Sequence, residues 1–314
     1  LIGLGSNAKA ASIAGDLVVQ NARVRAVGED AGGFKPITEK DLFDCEYWSL
    51  EQAKLGKGAA PKFQGKIVMI TGGSGTIGFT IAKAFAKLGA QTIIVDKDES
   101  SLKQAVNSLG TGHGYLTLDV TSPEAAEQAM LASIQKFGGL DILISNAGAA
   151  HAGPMLSISE DDLRDAFELN FFSHYSFSKA AAKVFRNQNR GGQILFNISK
   201  QAVNPGKNFG AYGMPKATTF FLMKQLALEL GANGIRVNGV NADRIRSGLL
   251  TDDFISSRAK SRGVSESDYM AGNLLNKEVT AEHVADAFTS LACAESTTGH
   301  VMTVDGGNIE ASLR

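Results

Sequence analysis

The stretch Ile67-Val-Met-Ile-Thr-Gly-Gly-Ser-Gly-Thr-Ile-Gly78 decides the fold. Ile67 to Ile70 is apolar with no polar alternation, the pattern of a strand covered on both faces. Glycines then crowd a turn, and Ile77 to Leu88 reads as a helix. Gly73, Gly75 and Gly78 fit G-x-G-x-x-G between a strand and a helix. Glycines there let backbone approach a pyrophosphate, and the helix N-terminus favours its charge. Gly72, Ser74, Gly75, Thr76, Ile77 and Gly78 are therefore the expected contacts to a dinucleotide.

Six further β-branched or apolar runs follow: Thr92–Val95, Gly114–Leu118, Ile142–Ser145, Gln193–Ile198, Ile235–Val240 and His300–Val304. Helical stretches separate them: Ser101–Ser108, Ala125–Phe137, Glu160–Arg186 with a break near Phe171, Tyr212–Leu230 and Ala281–Ala294. Strands without alternation between helices predict a doubly wound α/β domain, a parallel sheet of about seven strands (Rossmann-like). Its ligand crevice lies at the carboxyl ends of the strands. Asp96 ends the second run, 18 residues past Gly78. A carboxylate there accepts from a ribose 2'-hydroxyl and repels a 2'-phosphate, which favours NAD over NADP. The alternative is that Asp96 caps the next helix, and Lys97 leaves room for NADP. Asp119-Val120 and Asn146-Ala147-Gly148 follow the third and fourth runs. Both border the crevice and join the expected cofactor contacts; plain strand-end turns are the competing reading.

A second stretch, Asn197-Ile-Ser-Lys-Gln-Ala to Tyr212-Gly-Met-Pro-Lys216, leaves a strand at Ser199 and enters a long helix. Tyr212 and Lys216 are four apart and share a helix face. A phenol titrates near pH 10, about three units too high for a base at neutrality. A neighbouring ammonium is expected to lower it towards the range of acid-base catalysis. Such a pair also arises by chance on many helices; the glycine turn upstream gives it weight.

The chain has 314 residues, 44% apolar and 20% charged, with net charge −1. That suits a globular protein and provides no basic footprint for nucleic acid or a membrane surface. No apolar run approaches the roughly 18 residues of a membrane span. Cys45 and Cys293 have no pairing or metal spacing, which predicts free thiols in a reducing, cytoplasmic setting. The five histidines show no ligand spacing, so no metal is expected. Residues 1–60 differ in character from 61–314. Leu1 to Leu4 reads as a strand end, Ala8 to Arg25 as a helix, and Thr38-Glu-Lys-Asp41 as a capping box for a second helix through Trp48 and Leu50. Gly56 to Pro61 reads as a linker, with Trp48 anchoring the appendage. The absence of an initiating Met suggests a processed form or a fragment.

Together these residues resemble the short-chain dehydrogenase/reductase family. The matches are Thr71-Gly72 with Gly78, Asp119, Asn146-Ala147-Gly148, Asn170, Ser199, Tyr212-Gly-Met-Pro-Lys216, Ile235-Arg-Val-Asn238 and Asp305-Gly-Gly307. The resemblance implies Tyr212 as acid/base, Lys216 lowering its pKa and holding the nicotinamide ribose, Ser199 binding the substrate oxygen, and Asn170 anchoring a relay water. Ile245 joins the implied cofactor contacts. The chain departs from the family at Thr76 in the glycine turn, at Lys200 after Ser199, and at Ala242-Asp243 with Ser247 after the sixth strand.

Asp44-Cys-Glu-Tyr-Trp, Asn197-Ile-Ser-Lys-Gln-Ala-Val-Asn-Pro-Gly, Asn241-Ala-Asp-Arg-Ile-Arg and Asp268-Tyr-Met-Ala-Gly-Asn narrow the resemblance. They look like the dehydrogenase half of bifunctional rhamnulose-1-phosphate aldolase/short-chain dehydrogenases. This implies that residues 1–60 are an aldolase tail and that NAD oxidises L-lactaldehyde to lactate in rhamnose catabolism. Neither cysteine falls in a catalytic motif, so the aldehyde is expected to react as its hydrate. The alternatives are a reductase or dehydrogenase for another sugar-derived alcohol or polyol, and a catalytically idle dinucleotide-binding module. Arg246 to Lys277 is expected to cover the site, with Arg244, Arg246 and His151 as candidate substrate contacts beside surface ion-pair and turn readings. Surplus apolar residues on the Asp161–Arg186 and Tyr212–Leu230 helices, together with family habit, suggest a homodimer or homotetramer.

Overall fold

A computed structural model describes residues 2–5, 8–46 and 60–308. It divides into two units, Leu1–Gly65 and Lys66–Arg314, each described by itself. In the first, α1 runs Ala8–Asp30, beyond the expected end at Arg25, and α2 runs Glu39–Glu46. Thr38 Oγ1 accepts from the Asp41 backbone N–H at 3.1 Å, the capping role its spacing predicts. Residues 2–5 are not in a strand, contrary to the reading of Leu1–Leu4. A strand needs a hydrogen-bonded neighbour, and this unit has none among its described residues. Trp48, Leu50 and most of the Gly56–Pro61 linker lie outside the described residues.

The second unit alternates strands and helices. Its elements are β1 (Ile67–Thr71), α3 (Thr76–Lys87), β2 (Gln91–Asp96), α4 (Glu99–Leu109), β3 (Gly114–Thr117), α5 (Ala125–Phe137) and β4 (Ile142–Ser145). There follow α6 (Glu160–Phe167), a π-turn (Glu168–Phe172), α7 (Ser173–Gln188), β5 (Gly192–Asn197) and α8 (Gly210–Leu230). The last are β6 (Ile235–Ala242), α9 (Asp252–Arg262), α10 (Glu266–Met270), α11 (Ala281–Cys293) and β7 (Val301–Val304). All strand pairs are parallel, in the order β3-β2-β1-β4-β5-β6-β7. Every residue of β1 and β4 is buried, as their unbroken apolar runs require.

Helices α5, α7 and α8 share one core with a face of the sheet, built from Met69, Val95, Phe177, Phe185, Phe196 and Met223 among others. On the other face α3 packs against α11. The strand order reverses between β1 and β4, so their carboxyl ends diverge into a crevice. The break predicted near Phe171 is the π-turn, which puts one extra residue into the helix and re-aims Asn170. The stretch from Arg246 to Lys277 folds into α9 and α10, tied down by a small cluster of Leu250, Ile255, Ala259, Tyr269 and Met270. Among the described residues no helix is long and apolar enough to cross a membrane.

Candidate active site

A cavity of about 690 Å³ opens at the carboxyl ends of the strands. The glycine turn forms one wall. Gly72 has φ of +63°, and a Cβ there would come within 2.9 Å of Ala147 Cα; a Cβ on Gly78 would strike the Gly72 carbonyl. The turn thus folds back on α3 so closely that only glycine serves. Gly75 precedes α3 and supplies no side-chain cap. The first-turn N–H groups are left to whatever occupies the cavity, which fits the pyrophosphate of a dinucleotide.

Gly72, Gly75, Thr76, Ile77 and Gly78 line this wall. Ser74 does not. Its hydroxyl donates to Asp96 Oδ2 at 2.6 Å and its backbone N–H to the same oxygen at 3.2 Å. Asp96 lines the cavity and braces the turn. It does not cap α4, because the carboxylate of Asp98 does, accepting from the Ser100 and Ser101 N–H groups. Asp119, Val120, Asn146, Ala147, Gly148 and Ile245 also line the cavity. The Thr121 hydroxyl, donating to Asp119 at 2.7 Å, holds that carboxyl below its usual range. Asn146 Nδ2 donates to the carbonyls of Thr71 (2.9 Å) and Gly72 (3.2 Å), stapling β4 to the turn.

Farther along, the 3₁₀ turn after Ser199 and the start of α8 bring Ser199, Tyr212 and Lys216 to the same cavity. Ser199 Oγ accepts from the Gln201 N–H at 3.3 Å and lies on the Tyr212 hydroxyl's side of the cavity, close enough to lower its pKa slightly. Lys216 Nζ stands 5.8 Å from the centre of the Tyr212 ring and donates to the Asn197 carbonyl at 3.1 Å. Asn170 is fully buried behind the wall, its Nδ2 donating to the carbonyls of Ala149 (2.9 Å) and Ala166 (3.1 Å). Its Oδ1 has no partner. A Cβ on Gly148 would lie 2.8 Å from that oxygen and 3.4 Å from Lys216 Nζ, so both groups converge on Gly148.

The electrostatics differ from the expected lowering of the phenol. Burial pushes Tyr212 up to about 12, against the smaller opposite effect of Ser199, and pushes Lys216 down to about 8. Desolvation disfavours both charged forms, and the Lys216 ammonium is engaged by the Asn197 carbonyl. Sequence reading also missed His174. It is buried on α7, its Nδ1 lies 2.6 Å from Ser145 Oγ, and burial followed by the charge of Lys216 holds it well below its ordinary pKa.

Of the candidate substrate contacts, Arg244 lines the cavity while Arg246 and His151 do not. Arg246 is bound by Asp252 at 2.6 Å and Glu278 at 2.7 Å, the ion-pair alternative. The cavity also takes Lys200, Asp243, Phe209, Phe254, Arg258 and Tyr269. Lys200 and Asp243 were visible in the sequence as departures. Arg258 and Arg262 were not singled out in the sequence; their four-residue spacing puts them on one helix face, and spacing alone does not reveal which way that face points. Cys293 is not in the wall, and Cys45 is exposed on α2 of the first unit.

Comparison with known proteins agrees with this geometry. Residues 72–308 match the family described as enoyl-(acyl carrier protein) reductase, and residues 1–55 match the second domain of class II aldolases. The uncharacterized oxidoreductase YuxG of Bacillus subtilis is 30% identical over 98% of this chain, but the chain spans only 47% of that protein's length. Short-chain dehydrogenase reductase 3b of Arabidopsis thaliana is 32% identical over 78% of this chain and 96% of its own length. Among solved structures, L-sorbose reductase from Gluconobacter frateurii with NADPH and L-sorbose superposes with a TM-score of 0.72 (27% identity, 79% of this chain, 98% of the other). The 3-ketoacyl-(acyl-carrier-protein) reductase of Brucella melitensis with NADH gives 0.71 (26% identity, 77% of this chain, 98% of the other). The chain belongs to the short-chain dehydrogenase/reductase family of oxidoreductases.

Proposed function

We propose that this chain is an NAD-dependent dehydrogenase that oxidises L-lactaldehyde, as its hydrate, to lactate in rhamnose catabolism. The observation that carries the chemistry is the convergence of Ser199, Tyr212 and Lys216 at one end of a cavity that begins at the glycine turn, with the unpartnered Asn170 Oδ1 buried behind Gly148 beside Lys216. The turn, Asp96, Asp119, the Asn146–Gly148 segment and Lys216 would hold NAD, which would supply the hydride acceptor when bound. Asp96 supports NAD over NADP, because its carboxylate would repel a 2'-phosphate.

Ser199 holds the substrate oxygen beside the Tyr212 hydroxyl. Tyr212 takes the hydroxyl proton. Its raised pKa makes the resting group a phenol, so the proton must first leave, and Lys216 with the water that Asn170 Oδ1 is free to hold provides the exit. Lys216 at about 8 stays mostly protonated near neutrality and favours the phenolate. A bare aldehyde carbon offers no hydroxyl proton to Tyr212, whereas its geminal diol does, and no cysteine of this unit lines the cavity to replace it. The match of residues 1–55 to a class II aldolase domain supports an aldolase origin for residues 1–60.

NADH formation from L-lactaldehyde with NAD tests this, with NADP and 1,2-propanediol in parallel. Lactate formed with NAD and not with NADP supports the reading. Turnover of sugar alcohols alone, the reaction class of the L-sorbose reductase neighbour, would replace the substrate and keep the chemistry. NADH binding without any turnover would leave an idle binding module.

A further inference from the structure

We infer that the lid side of the cavity, formed by α9 and the residues flanking Ser199 and Phe209, is an anion subsite that grips a carboxylate or phosphate of the reacting molecule. The inference rests on the dehydrogenase reading above and names the charge of what that site takes. Five cations belong to this part of the wall: Lys200, Lys207, Arg244, Arg258 and Arg262. One carboxylate stands among them, Asp243, and it is already engaged: Lys200 at 3.4 Å, Arg244 at 3.5 Å and Asn308 at 2.6 Å. The other wall carboxylates, Asp96 and Asp119, lie after β2 and β3 at the far end of the cleft.

Arg258 and Arg262 are the active pair. The guanidinium of Arg258 lies 5.2 Å from the ring centres of both Phe209 and Phe254, and it spends one donor on the Lys207 carbonyl at 3.4 Å. Arg262 lies 5.2 Å from the Tyr269 ring, which Arg244 also approaches at 5.0 Å. Among the described residues no carboxylate lies within 4.0 Å of either Arg258 or Arg262, whereas Arg246 nearby holds two. Cation–π contact with these rings holds each guanidinium in place without using its N–H donors. That rigid fork matches the paired oxygens of a carboxylate or phosphate. Arg258 is half-buried while Arg262 and Lys207 stay exposed beside it, and unpaired cations lining a cleft concentrate anions. With lactaldehyde hydrate, which is neutral, the subsite would act on the carboxylate of the product; with a hydroxy acid or a phosphorylated alcohol it would act from the first encounter.

The cofactor's own phosphates are the competing source of negative charge, so the test separates them. L-lactate and glycerol 3-phosphate are titrated by calorimetry into the full chain, with and without saturating NADH. The same is done with Arg258→Gln/Arg262→Gln, and NADH affinity is measured by fluorescence for both proteins. At least one anion should bind the parent, and its affinity should fall about tenfold or more in the double variant, as expected for lost charge-assisted hydrogen bonds. NADH affinity should change less than about twofold. The tighter of the two anions identifies carboxylate or phosphate. Arg258→Lys/Arg262→Lys, which keeps charge without the fork, should fall between and guards against misfolding. Anion affinity equal in parent and double variant, no binding of either anion to the parent, or NADH affinity falling in step with anion affinity would each overturn the subsite. Failure of the parent to bind NADH while anion binding still depends on the two arginines would strike the dehydrogenase reading alone.

Discussion

Lys200 Nζ stands 3.4 Å from Asp243 Oδ1, and the two side chains are only 16% and 8% exposed. Each residue departs from the family pattern. The structure makes the departures one interaction, an ion pair that ties the turn after Ser199 to the end of β6. Breaking a buried pair by removing one partner leaves an uncompensated charge. Asp243→Ala strips the counter-charge from both Lys200 and Arg244, and should cost about 3 kcal/mol in denaturant unfolding. Lys200→Met leaves Asp243 with Arg244 and Asn308 and should cost about 1 kcal/mol. The double variant should lose less than the sum; strictly additive losses would show that the pair is not coupled.

Tyr212→Phe keeps the ring and removes the only proton acceptor proposed for the chemistry. Turnover should fall about a thousandfold, while NADH affinity stays within about twofold. Steady-state kinetics and fluorescence titration read the two effects separately. Turnover near the parent's would remove Tyr212 from the mechanism.

Asp96→Ala tests cofactor choice. The change removes the carboxylate proposed to reject a 2'-phosphate and releases Ser74, which Asp96 holds at 2.6 Å. NADPH should bind about tenfold tighter and NADH more weakly than in the parent. An unchanged ratio of the two affinities would place selectivity elsewhere in the site.

Lys216 carries a pH signature in the protein without cofactor. Its folded pKa is depressed from 10.5 to about 8. Between these values the unfolded chain binds more protons, so this group makes stability rise with pH across the window and destabilises the fold below it. The penalty below pH 8 is about 3 kcal/mol. Relative to the parent, Lys216→Met should therefore be more favoured at pH 7 than at pH 10.5 by about that amount. Unfolding at the two pH values measures it, and a pH-independent difference would mean that Lys216 is not desolvated.

Met214, Phe221 and Leu228 are exposed and repeat every seven residues along α8, forming one stripe, with Phe221 and Leu228 at 69% and 81% exposure. We expect a second copy of the chain to cover this stripe. Phe221→Glu/Leu228→Glu should reduce the mass seen by light scattering to that of a monomer, with the fold retained by circular dichroism. A parent that is already monomeric would remove the interface.

Much of this molecule was legible without coordinates. Short unbroken apolar runs alternating with helices point to a sheet covered on both faces, so the strands and their parallel pairing followed from local pattern, while their order did not. Chain spacing likewise placed Ser199, Tyr212 and Lys216 together, because a strand end and one turn of helix leave little geometric freedom. The helix break near Phe171 belongs to the same class, whereas Asn170 came from the family resemblance. What only the tertiary structure decided depends on contacts between distant segments. Ser74 is claimed by Asp96, 22 residues on, which accepts both its hydroxyl and its backbone N–H. Lys200 finds Asp243 from the end of the neighbouring strand, and α9 turns Arg258 towards Phe209. The state of the catalytic pair was decided there as well. Four-residue spacing predicts an ammonium lowering a phenol, but enclosure on all sides desolvates both groups and drives their pKa values in the opposite directions, an effect of burial that spacing cannot carry.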